Sequence, residues 1–513
     1  MTRTSSAPRE AAPEHLDVVI VGAGLSGIGA GYRIRSECPD RSYAILEARD
    51  AIGGTWDLFR YPGVRSDSDM FTLGYPFRPW RGRQTLADGE SVLNYVRDTA
   101  AESGVDRHIR FRTRLLRADW STPEARWTLT VRETAADGTT RTRTLTCAFL
   151  YSCTGYYDYD RGHDPDLPGR ESFTGTVVHP QFWPEDLDHR GRRVVVIGSG
   201  ATAVTLVPAM ARDAAHVTML QRTPTWIVSR AQRDRVAEAL RVLLPGGVAH
   251  RAVRARNILF GTAFYEYCRR RPESARALLT RATLRAVGDE RSVRENFTPP
   301  YAPWDQRLCA VPEADLFRAL RSGAVDVVTD RIETFVPEGV RLRSGRTLPA
   351  DIVVTATGLR LLPLGGVAFT VDGRLLDLPG QFVWRGAMLT GAPNLAFCIG
   401  YTNASWTLRA DLSSRLVCKV LNHMSRRGYP AVVPEPAGPL GTRPLIDLAS
   451  GYVRRSIAAF PQQGDRAPWK VRQNYVLDSL TTLHSGLDRT LRPVPTTPAA
   501  PTTADGSPAG PAR

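Results

Sequence analysis

Two segments of the chain repeat one local pattern, in which a short apolar run leads into a glycine-rich turn and then into a helix-forming stretch. The first segment is LDVVIVGAGLSG and the second is VVVIGSGATA. Continuous apolar runs of this length are typical of buried parallel strands. Glycine allows a tight turn and lets backbone amides at a helix N-terminus approach a phosphate group. The repeat therefore predicts an α/β fold with two separate dinucleotide-binding, Rossmann-like domains.

The first glycine turn is followed by an acidic residue at the spacing of a nucleotide-binding βαβ unit. Glu47 ends the apolar stretch SYAILE, 20 residues after Gly27. A carboxylate at this strand end accepts hydrogen bonds from the ribose hydroxyls of an unphosphorylated adenosine. A glycine motif alone also occurs in structural turns, but its combination with Glu47 favours a nucleotide. The predicted contacts on this turn are Gly22, Gly24, Ser26 and Gly27.

The second glycine turn lacks such an acid. The strand beyond it ends in Gln221, Arg222 and Thr223. A carboxylate would repel a 2′-phosphate, whereas Arg222 can pair with it and Thr223 can donate a hydrogen bond to it. Arg222 could also be one more exposed charge in an arginine-rich chain, but its place at a strand end favours NADPH over NADH. The predicted contacts on this turn are Gly198, Ser199, Gly200, Ala201, Thr202 and Ala203.

Further motifs surround these two turns. GGTWDLFRYPGVRSDSDM begins at Gly53, FTGTVVHPQFWP runs from Phe173 to Pro184 between the turns, and APWDQRLC ends at Cys309. With GYTNASWT at 400–407, these motifs resemble the type I Baeyer–Villiger flavin monooxygenases, most closely the ethionamide-activating monooxygenase type. The resemblance runs from about Leu16 to Tyr475 and is most specific in the second motif, which reads FxGxxxHxxxWP.

The resemblance implies a function and two catalytic residues. Enzymes of this family use NADPH and O2 to convert ketones to esters or lactones through a flavin C4a-peroxide, with some oxygenation of sulfur. Arg307 matches the arginine that would stabilise the peroxide and the negative oxygen of the ketone adduct, because a guanidinium stays charged at any working pH. Asp67 matches the aspartate that acts on this arginine. Gln306 departs from the family, in which a lysine often precedes the arginine.

The resemblance also implies that the first domain binds FAD. His179 in the FxGxxxHxxxWP motif is interpreted as a linker residue that transfers no proton. In the strand-like stretch FRTRLL, we expect the main chain of Leu115 to meet the adenine. The other FAD contacts that the resemblance implies are Thr55, Trp56, Asp57, Leu58, Arg65, Ser66 and Asp67.

These signals divide the chain into domains. We expect a disordered lead (1–15), the first part of the FAD-binding domain (16–160), the NADPH-binding domain (161–365), the second part of the FAD-binding domain with a C-terminal segment (366–490) and a disordered tail (491–513). Residues from about 230 to 293 are rich in arginine and have apolar residues at helical spacing, which predicts an inserted helical subdomain. Its stretch NILFGTAFYEYCRR leaves peripheral membrane contact open, although packing on its own domain is commoner.

Composition limits the partners of the chain. A formal charge of +15 suggests nucleic acid or an anionic membrane, but Lys419 and Lys470 are the only lysines and the arginines are scattered. A general surplus of arginine and an NADPH site account for the charge, so we expect no nucleic-acid partner. Seven cysteines without CxxC spacing argue against a metal site or a disulfide framework and fit a cytoplasmic location. The oligomeric state is not predicted.

Three other functions compete with ketone oxidation. A flavin monooxygenase that oxygenates nitrogen or sulfur has the same two turns, but its fingerprint usually lacks the Trp-Pro ending. A disulfide reductase would need a redox pair of cysteines beside the flavin. A non-enzymatic, redox-sensing FAD-binding module would keep the first turn but would have no need of Arg307 and Asp67.

Overall fold

The computed structural model describes residues 13–487 and 489–495. The first part of the chain contains the first predicted strand, turn and helix. Its apolar strand pairs in parallel on both sides, which explains why the run LDVVIV has no polar face. The elements in chain order are β1 (Glu14–Val21), α1 (Leu25–Glu37), β2 (Tyr43–Leu46), α2 (Thr55–Leu58), α3 (Met70–Leu73), α4 (Gly89–Ser103), β3 (Ile109–Arg110), β4 (Thr113–Ser121), β5 (Arg126–Thr134) and β6 (Thr140–Ser152).

The second part contains the other predicted unit and the helical insertion. The elements are β7 (Thr176–Val178), β8 (Arg193–Ile197), α5 (Ala201–Met210), β9 (His216–Gln221), β10 (Ile227–Arg230), α6 (Arg235–Leu243), α7 (Gly246–Arg270), α8 (Pro272–Val287), α9 (Glu290–Asn296), β11 (Cys309–Pro312), α10 (Asp315–Arg321), β12 (Val325–Thr329), β13 (Ile332–Val336), β14 (Gly339–Leu342), β15 (Thr347–Pro349) and β16 (Ile352–Thr355). Five strands form a parallel sheet in the order β12-β9-β8-β16-β7. The four helices from α6 to α9 lie between β10 and β11, where the sequence predicts an insertion.

The third part returns to the first domain. Its elements are β17 (Ala368–Val371), β18 (Arg374–Leu375), β19 (Val383–Trp384), β20 (Met388–Leu389), β21 (Leu395–Phe397), α11 (Trp406–Arg427), β22 (Val432–Pro434), β23 (Thr442–Pro444), α12 (Gly451–Ser456), β24 (Gln462–Gly464), α13 (Tyr475–His484) and β25 (Leu491–Pro493). Short 3-10 turns occur at Asp106–His108, Arg170–Ser172, Pro180–Phe182, Pro363–Gly366 and Ile457–Ala459.

The first and third parts share one sheet of eleven strands. Its main path runs β18-β17-β4-β5-β6-β1-β2-β3, and β21 pairs in parallel with β6. The long helix α11 packs against α1, so the third part covers the helix that begins at the first glycine turn. The fold class predicted from the sequence, two Rossmann-like domains with an inserted helical subdomain, is confirmed. No helix among residues 13–487 and 489–495 is long and apolar enough to cross a membrane.

The ends of the described chain differ slightly from the predicted boundaries. Strand β1 begins at Glu14, inside the predicted lead, and β25 lies inside the predicted tail, where it pairs with β22. Leu491 is buried, and this one apolar side chain anchors a strand within a segment whose Pro, Thr and Ala content predicts disorder. The remainder of the predicted lead and tail lies outside the described residues.

The third glycine of the first turn has a packing role. Gly27 lies in the first turn of α1, and a Cβ atom added to it would lie 1.8 Å from the carbonyl oxygen of Gly22. No real side chain tolerates such a distance from backbone, so α1 can approach β1 this closely only with glycine at this position. Gly27 therefore sets the geometry of the turn.

We expect Gly27→Ala to destabilise the first domain by about 1–3 kcal/mol, because the turn must open to admit one methyl group. The measurement is the melting temperature of the FAD-free protein. Gly261→Ala is the matched control, because Gly261 lies inside α7 with no atom within 4 Å of an added Cβ. The control should be neutral or slightly stabilising. Equal melting temperatures for the two variants would remove the packing role of Gly27.

Candidate functional site

One cavity of about 1070 Å³ connects the two glycine turns. Gly22 and Gly24 line it from the first turn, and Gly198 and Gly200 line it from the second. Both turns follow the carboxyl end of a parallel strand and precede a helix, so the N-termini of α1 and α5 lie at the same space. Nucleotides bind at this position in open α/β sheets. The cavity can therefore accommodate two nucleotides.

Glu47 lies beside the first turn, as the sequence predicts. Its Oε2 accepts a hydrogen bond from the amide of Ala23 at 2.7 Å, and its Oε1 accepts one from the amide of Arg49 at 2.9 Å. Burial raises the pKa of Glu47, and the two amides oppose that rise. Each carboxylate oxygen can accept a second hydrogen bond. Glu47 lines the cavity and is suited to accept the hydroxyls of a ribose.

Gly53 and Gly54 form a second glycine pair beside the site for the first nucleotide. Gly53 donates its amide to the carbonyl of Ala23 at 3.1 Å, and a Cβ added to Gly24 would lie 3.5 Å from the Cα of Gly54. The backbone at Gly24 thus packs directly against the backbone of Gly53 and Gly54 along the cavity. Trp406 donates its indole N–H to the hydroxyl of Ser26 at 2.7 Å, which joins the third part of the chain to the turn. These residues fit the diphosphate of FAD.

Some predicted contacts line the cavity in this region, and others do not. The residues that line it are Gly22, Gly24, Ser26, Glu47, Thr55, Trp56, Arg65, Ser66, Asp67 and Leu115. Gly27, Asp57 and Leu58 do not appear on the cavity wall of the described chain, and neither does Ala203 of the second turn. The sequence-based prediction treated whole motifs as contacts, whereas successive residues of a helix point in different directions.

Asp57 shows what such a residue does instead. Its side chain is almost fully buried, and its carboxylate forms ion pairs with Arg49 at 2.5 Å, Arg60 at 2.9 Å and Arg97 at 3.1 Å. Asp57 thereby ties α2 to the neighbouring loop and to α4. Leu58 packs against the apolar core of the second domain, and Ala203 is buried in that core.

Arg65 connects two domains. Its Nη1 lies 2.6 Å from a carboxylate oxygen of Asp315 on α10, and its Nη2 donates to the carbonyl of Val204 on α5 at 3.4 Å. Ser66 next to it donates its hydroxyl to the carbonyl of Ser68 at 2.8 Å. Both Nη atoms of Arg65 and the hydroxyl of Ser66 are thus engaged by protein, although both residues line the cavity.

The two predicted catalytic residues form a paired contact on the cavity wall. Arg307 Nε donates to Asp67 Oδ2 at 2.7 Å, and Arg307 Nη2 donates to Asp67 Oδ1 at 2.8 Å. Nη1 donates to the carbonyl of Thr402 at 3.3 Å. The side chains are 31% and 25% exposed, so the pair faces the cavity and is not sealed in the core.

Each partner of this pair shifts the pKa of the other. The carboxylate of Asp67 raises the pKa of Arg307 well above its ordinary value, against the effect of burial. Burial would raise the pKa of Asp67, but the charge and hydrogen bonds of Arg307 lower it below its ordinary value. Both groups are therefore charged throughout the physiological pH range, and the arginine is a fixed positive charge in the cavity.

Aromatic side chains that the sequence-based prediction missed surround this pair. Tyr156, Tyr157 and Tyr452 line the cavity beside Arg307, and the ring of Tyr156 stacks on Trp406 with 5.1 Å between centroids. Burial raises the pKa of all three tyrosines, so they remain neutral phenols. Tyr156 and Tyr157 follow Thr154 and Gly155 at the end of an apolar stretch, but nothing local indicates that they meet a residue 150 positions away.

The second turn lies among arginines. Arg222 is exposed at the rim, as expected, and Arg331, Arg343 and Arg455 also line the cavity. Burial and the charge of Arg222 both lower the pKa of Arg455, which shows that like charges are close together there. Such a cluster is suited to a phosphate with two negative charges. The sequence predicted only Arg222, because no local pattern distinguishes Arg331, Arg343 and Arg455 among the 67 basic residues.

The remaining predicted contacts of this turn lie as expected. Ser199 donates its hydroxyl to the carbonyl of Thr223 at 3.0 Å, which links the turn to the end of β9. The residues of this region that line the cavity are Gly198, Ser199, Gly200, Ala201, Thr202, Arg222 and Thr223. A Cβ added to Gly198, whose φ is +136°, would lie 2.3 Å from the carbonyl oxygen of Ala356. Only glycine is accommodated there.

The FxGxxxHxxxWP segment includes β7, an edge strand of the second domain's sheet, and has a packing role. Phe173 is buried against Phe335 in an edge-to-face contact, and Trp183 packs on the core of the second domain. His179 accepts a hydrogen bond at Nδ1 from the amide of Gln181 at 3.2 Å, and burial lowers its pKa. His179 is thus engaged by backbone at the start of the 3-10 turn Pro180–Phe182.

Comparison with known proteins places the chain in a family. A model described as flavin-binding monooxygenase-like matches residues 75–241, and a model of NAD(P)-binding Rossmann-like domains matches residues 20–83. The FAD-containing monooxygenase EthA of Mycobacterium tuberculosis is 54% identical over 467 residues, which cover 91% of this chain and 94% of EthA. MymA of the same organism is 51% identical over 482 residues, which cover 93% of this chain and 96% of MymA.

A solved structure of the enzyme OTEMO in complex with FAD and NADP has a TM-score of 0.67 to this chain. The match covers 83% of this chain and 87% of that one at 22% identity, a likeness that shows the fold alone. The identities to EthA and MymA exceed one half and extend over nearly the whole length of each protein. The chain therefore belongs to the family of FAD-containing monooxygenases that includes EthA and MymA.

Proposed function

We propose that this monooxygenase converts ketones to esters or lactones with NADPH and O2. The observation that carries the proposal is the Arg307 and Asp67 pair, which holds a permanent positive charge in the cavity between the two nucleotide turns. Oxidation of a carbonyl compound places negative charge on the carbonyl oxygen in the transition state, and a fixed cation stabilises it. A site for binding cofactors alone has no need of this pair.

The geometry of Arg307 suits this role. A guanidinium has five N–H donors. Three are used, two by Asp67 and one by Thr402, which leaves two for a ligand in the cavity. Because its two partners, Asp67 and Thr402, lie in different parts of the chain, the guanidinium is held in one orientation before the substrate arrives. Such preorganisation avoids the cost of reorienting a charged group during the reaction.

The cofactors divide between the two turns. We assign FAD to residues 16–160 and 366–490, where Glu47 and the glycine pairs fit an unphosphorylated adenosine and a diphosphate. NADPH is assigned to residues 161–365, where the arginines beside Arg222 fit a 2′-phosphate. When bound and reduced by NADPH, FAD supplies the electrons that activate O2. The protein contributes the orientation of both nucleotides, the charge of Arg307 and an enclosed wall of neutral tyrosines.

Two rival functions receive less support. A redox-sensing module would need no fixed cation at the cavity. A disulfide reductase would need a reactive thiol, and the sheet does bring Cys398 beside Cys153, which lines the cavity. Burial raises the pKa of Cys153 well above its ordinary value, whereas the hydrogen bond with Cys153 lowers the pKa of Cys398, which does not line the cavity of the described chain. The thiol that faces the cavity is thus the poorer thiolate. We infer a cytoplasmic location, which is supported by seven free, buried cysteines.

We expect FAD-loaded protein supplied with NADPH and O2 to form esters or lactones from linear and cyclic ketones, and we expect Arg307→Ala to reduce that product about a hundredfold or more. Products are measured by gas chromatography and NADPH by absorbance. Arg307→Ala should still consume NADPH and still oxygenate sulfides, because a sulfur atom develops no oxyanion. Arg269→Ala, which removes an exposed arginine of α7 that pairs with Asp305, should stay within about twofold.

Unchanged ester formation by Arg307→Ala would remove Arg307 from the mechanism. If the wild-type protein oxidised sulfides or amines but no ketone, the activity would be oxygenation of heteroatoms. If NADPH were not consumed with any substrate, the chain would be a binding module.

Asp67→Asn should lower ester formation at every pH from about 6 to about 9 without creating a new pH dependence, because an arginine without its carboxylate is still charged in that range. Ester formation falls because the guanidinium of Arg307 loses the carboxylate that fixes its orientation. The measurement is the pH profile of kcat/KM for a ketone, beside that for a sulfide. A new inflection near neutral pH would show that another group titrates with Asp67.

Arg222→Ala should reduce kcat/KM for NADPH roughly ten- to a hundredfold and leave that for NADH nearly unchanged, since one charge-assisted hydrogen bond contributes about 1.5–3 kcal/mol. The rates are measured as flavin reduction without oxygen. Arg374→Ala, at an exposed position of β18, is the control and should alter neither rate. An unaltered ratio of NADPH to NADH would assign the 2′-phosphate to Arg331, Arg343 or Arg455.

A further inference from the structure

The outward surface of the helical insertion is apolar. Eight of the fourteen large, exposed hydrophobic side chains of the described residues lie between residues 236 and 278. Val242 and Leu243 at the end of α6 are 86% and 75% exposed, and Leu259 and Phe260 in the middle of α7 are 59% and 63% exposed. Contiguous exposed apolar surface of this kind marks a site of interaction.

The exposed positions of each helix fall on one stripe. On α6 they include Val236, Ala239, Val242 and Leu243. Between Arg251 and Tyr267 on α7 the exposed positions are 251, 255, 259, 260, 263 and 267, and Arg251 is the one charged residue among them. A helix on a protein surface normally presents polar side chains to water and apolar ones to the core. On α7 the stripe that faces water is mainly apolar.

Buried contacts prevent α7 from turning this stripe inward. Arg254 is buried and donates its Nη1 to the carbonyls of Phe71 at 2.9 Å, Thr72 at 3.1 Å and Gly74 at 2.7 Å. One turn further on, Asn257 donates to a carboxylate oxygen of Asp69 at 3.1 Å. These bonds fix the rotation of the helix, so the apolar stripe is held toward the outside by the fold.

Positive charge borders the stripe. Residues 235–285 contain eleven arginines and three glutamates. Arg251 and Arg270 are exposed on α7, and Arg281 is exposed on α8. A second copy of the chain on this surface would bring the arginines of the two copies together. A nucleic acid would pair with the arginines but would leave Leu259 and Phe260 in contact with phosphate and water. An anionic bilayer surface satisfies both the charge and the apolar stripe.

We propose that the outward faces of α6 and α7 bind the surface of a bilayer that contains anionic phospholipid. This insert face consists of Val236, Val242, Leu243, Val248, Leu259 and Phe260, with Arg251 and Arg270 beside them. The helices lie in the interface, with the apolar side chains among the acyl chains and the arginines at the headgroups. The proposal is independent of the reaction proposed above.

The insert face lies on the side of α7 opposite the cavity wall. The opposite side of α7 holds the backbone of residues 71–74, and Leu73 of that segment lines the cavity. The cavity wall is thus separated from the insert face by about one helix diameter, roughly 10 Å. An apolar substrate that concentrates in the bilayer would then be close to the cavity.

The test is flotation of the full-length, FAD-loaded protein with vesicles of phosphatidylcholine alone and of phosphatidylcholine mixed with phosphatidylglycerol. We expect binding to the mixed vesicles that weakens as salt is added. The double variant Leu259→Glu, Phe260→Glu should reduce the partition coefficient at least about tenfold. Arg251→Glu with Arg270→Glu should reduce it on mixed vesicles as well, because each arginine near an anionic surface contributes to binding.

Leu375→Glu and Arg190→Glu are the matched controls, since these residues are as exposed as those of the insert face and lie on other parts of the protein. All variants should keep the FAD content, the melting temperature and the NADPH oxidation of the wild type. Absence of vesicle binding would overturn the proposal, and so would equal binding by the wild type and the Leu259 and Phe260 variant. A dimer in sedimentation that this variant dissociates, without vesicle binding, would assign the surface to a second copy.

Discussion

The position of one guanidinium depends on the arrangement of the whole molecule. Arg307 lies in the segment before β11, Asp67 lies between α2 and α3, and Thr402 lies just before α11, so three parts of the chain meet at one side chain. The contact between Arg65 and Asp315 joins the same two domains a short distance away. Because a charged group is useful in catalysis only where it is already oriented, domain packing and chemistry are coupled here. A shift of the second domain would move the charge.

The two nucleotide turns carry side chains of opposite charge. On the first turn a buried carboxylate, Glu47, is held by two backbone amides and is suited to neutral hydroxyls. On the second, burial and the charge of Arg222 lower the pKa of Arg455, so two like charges lie close together. Repulsion between two such groups is relieved when an anion binds, which makes this end of the cavity suited to a phosphate.

Local sequence patterns predicted the fold and the two glycine turns that line the cavity, because strands, glycine turns and the residues that follow them are close in the chain. Glu47, Gly198 and Arg222 lie where their motifs indicate. The prediction was less accurate wherever a motif was extended residue by residue: Asp57 and Leu58 turn away from the cavity because α2 is a helix. Tyr156, Arg343 and Arg455 could not be identified, since each reaches the cavity through pairing of distant strands or loops. Asp315, which engages Arg65, is likewise 250 positions away.

The burial of all seven cysteines affects how readily the protein is oxidised. An enzyme that reduces O2 exposes its own side chains to hydrogen peroxide whenever reduced oxygen escapes before it reaches a substrate. Peroxide reacts with the thiolate form, and its attack proceeds to irreversible products if it is not reversed. Burial raises the pKa of Cys309, which lines the cavity beside Arg307, to about 12. The thiol of Cys309 is therefore kept protonated, which slows its reaction with peroxide.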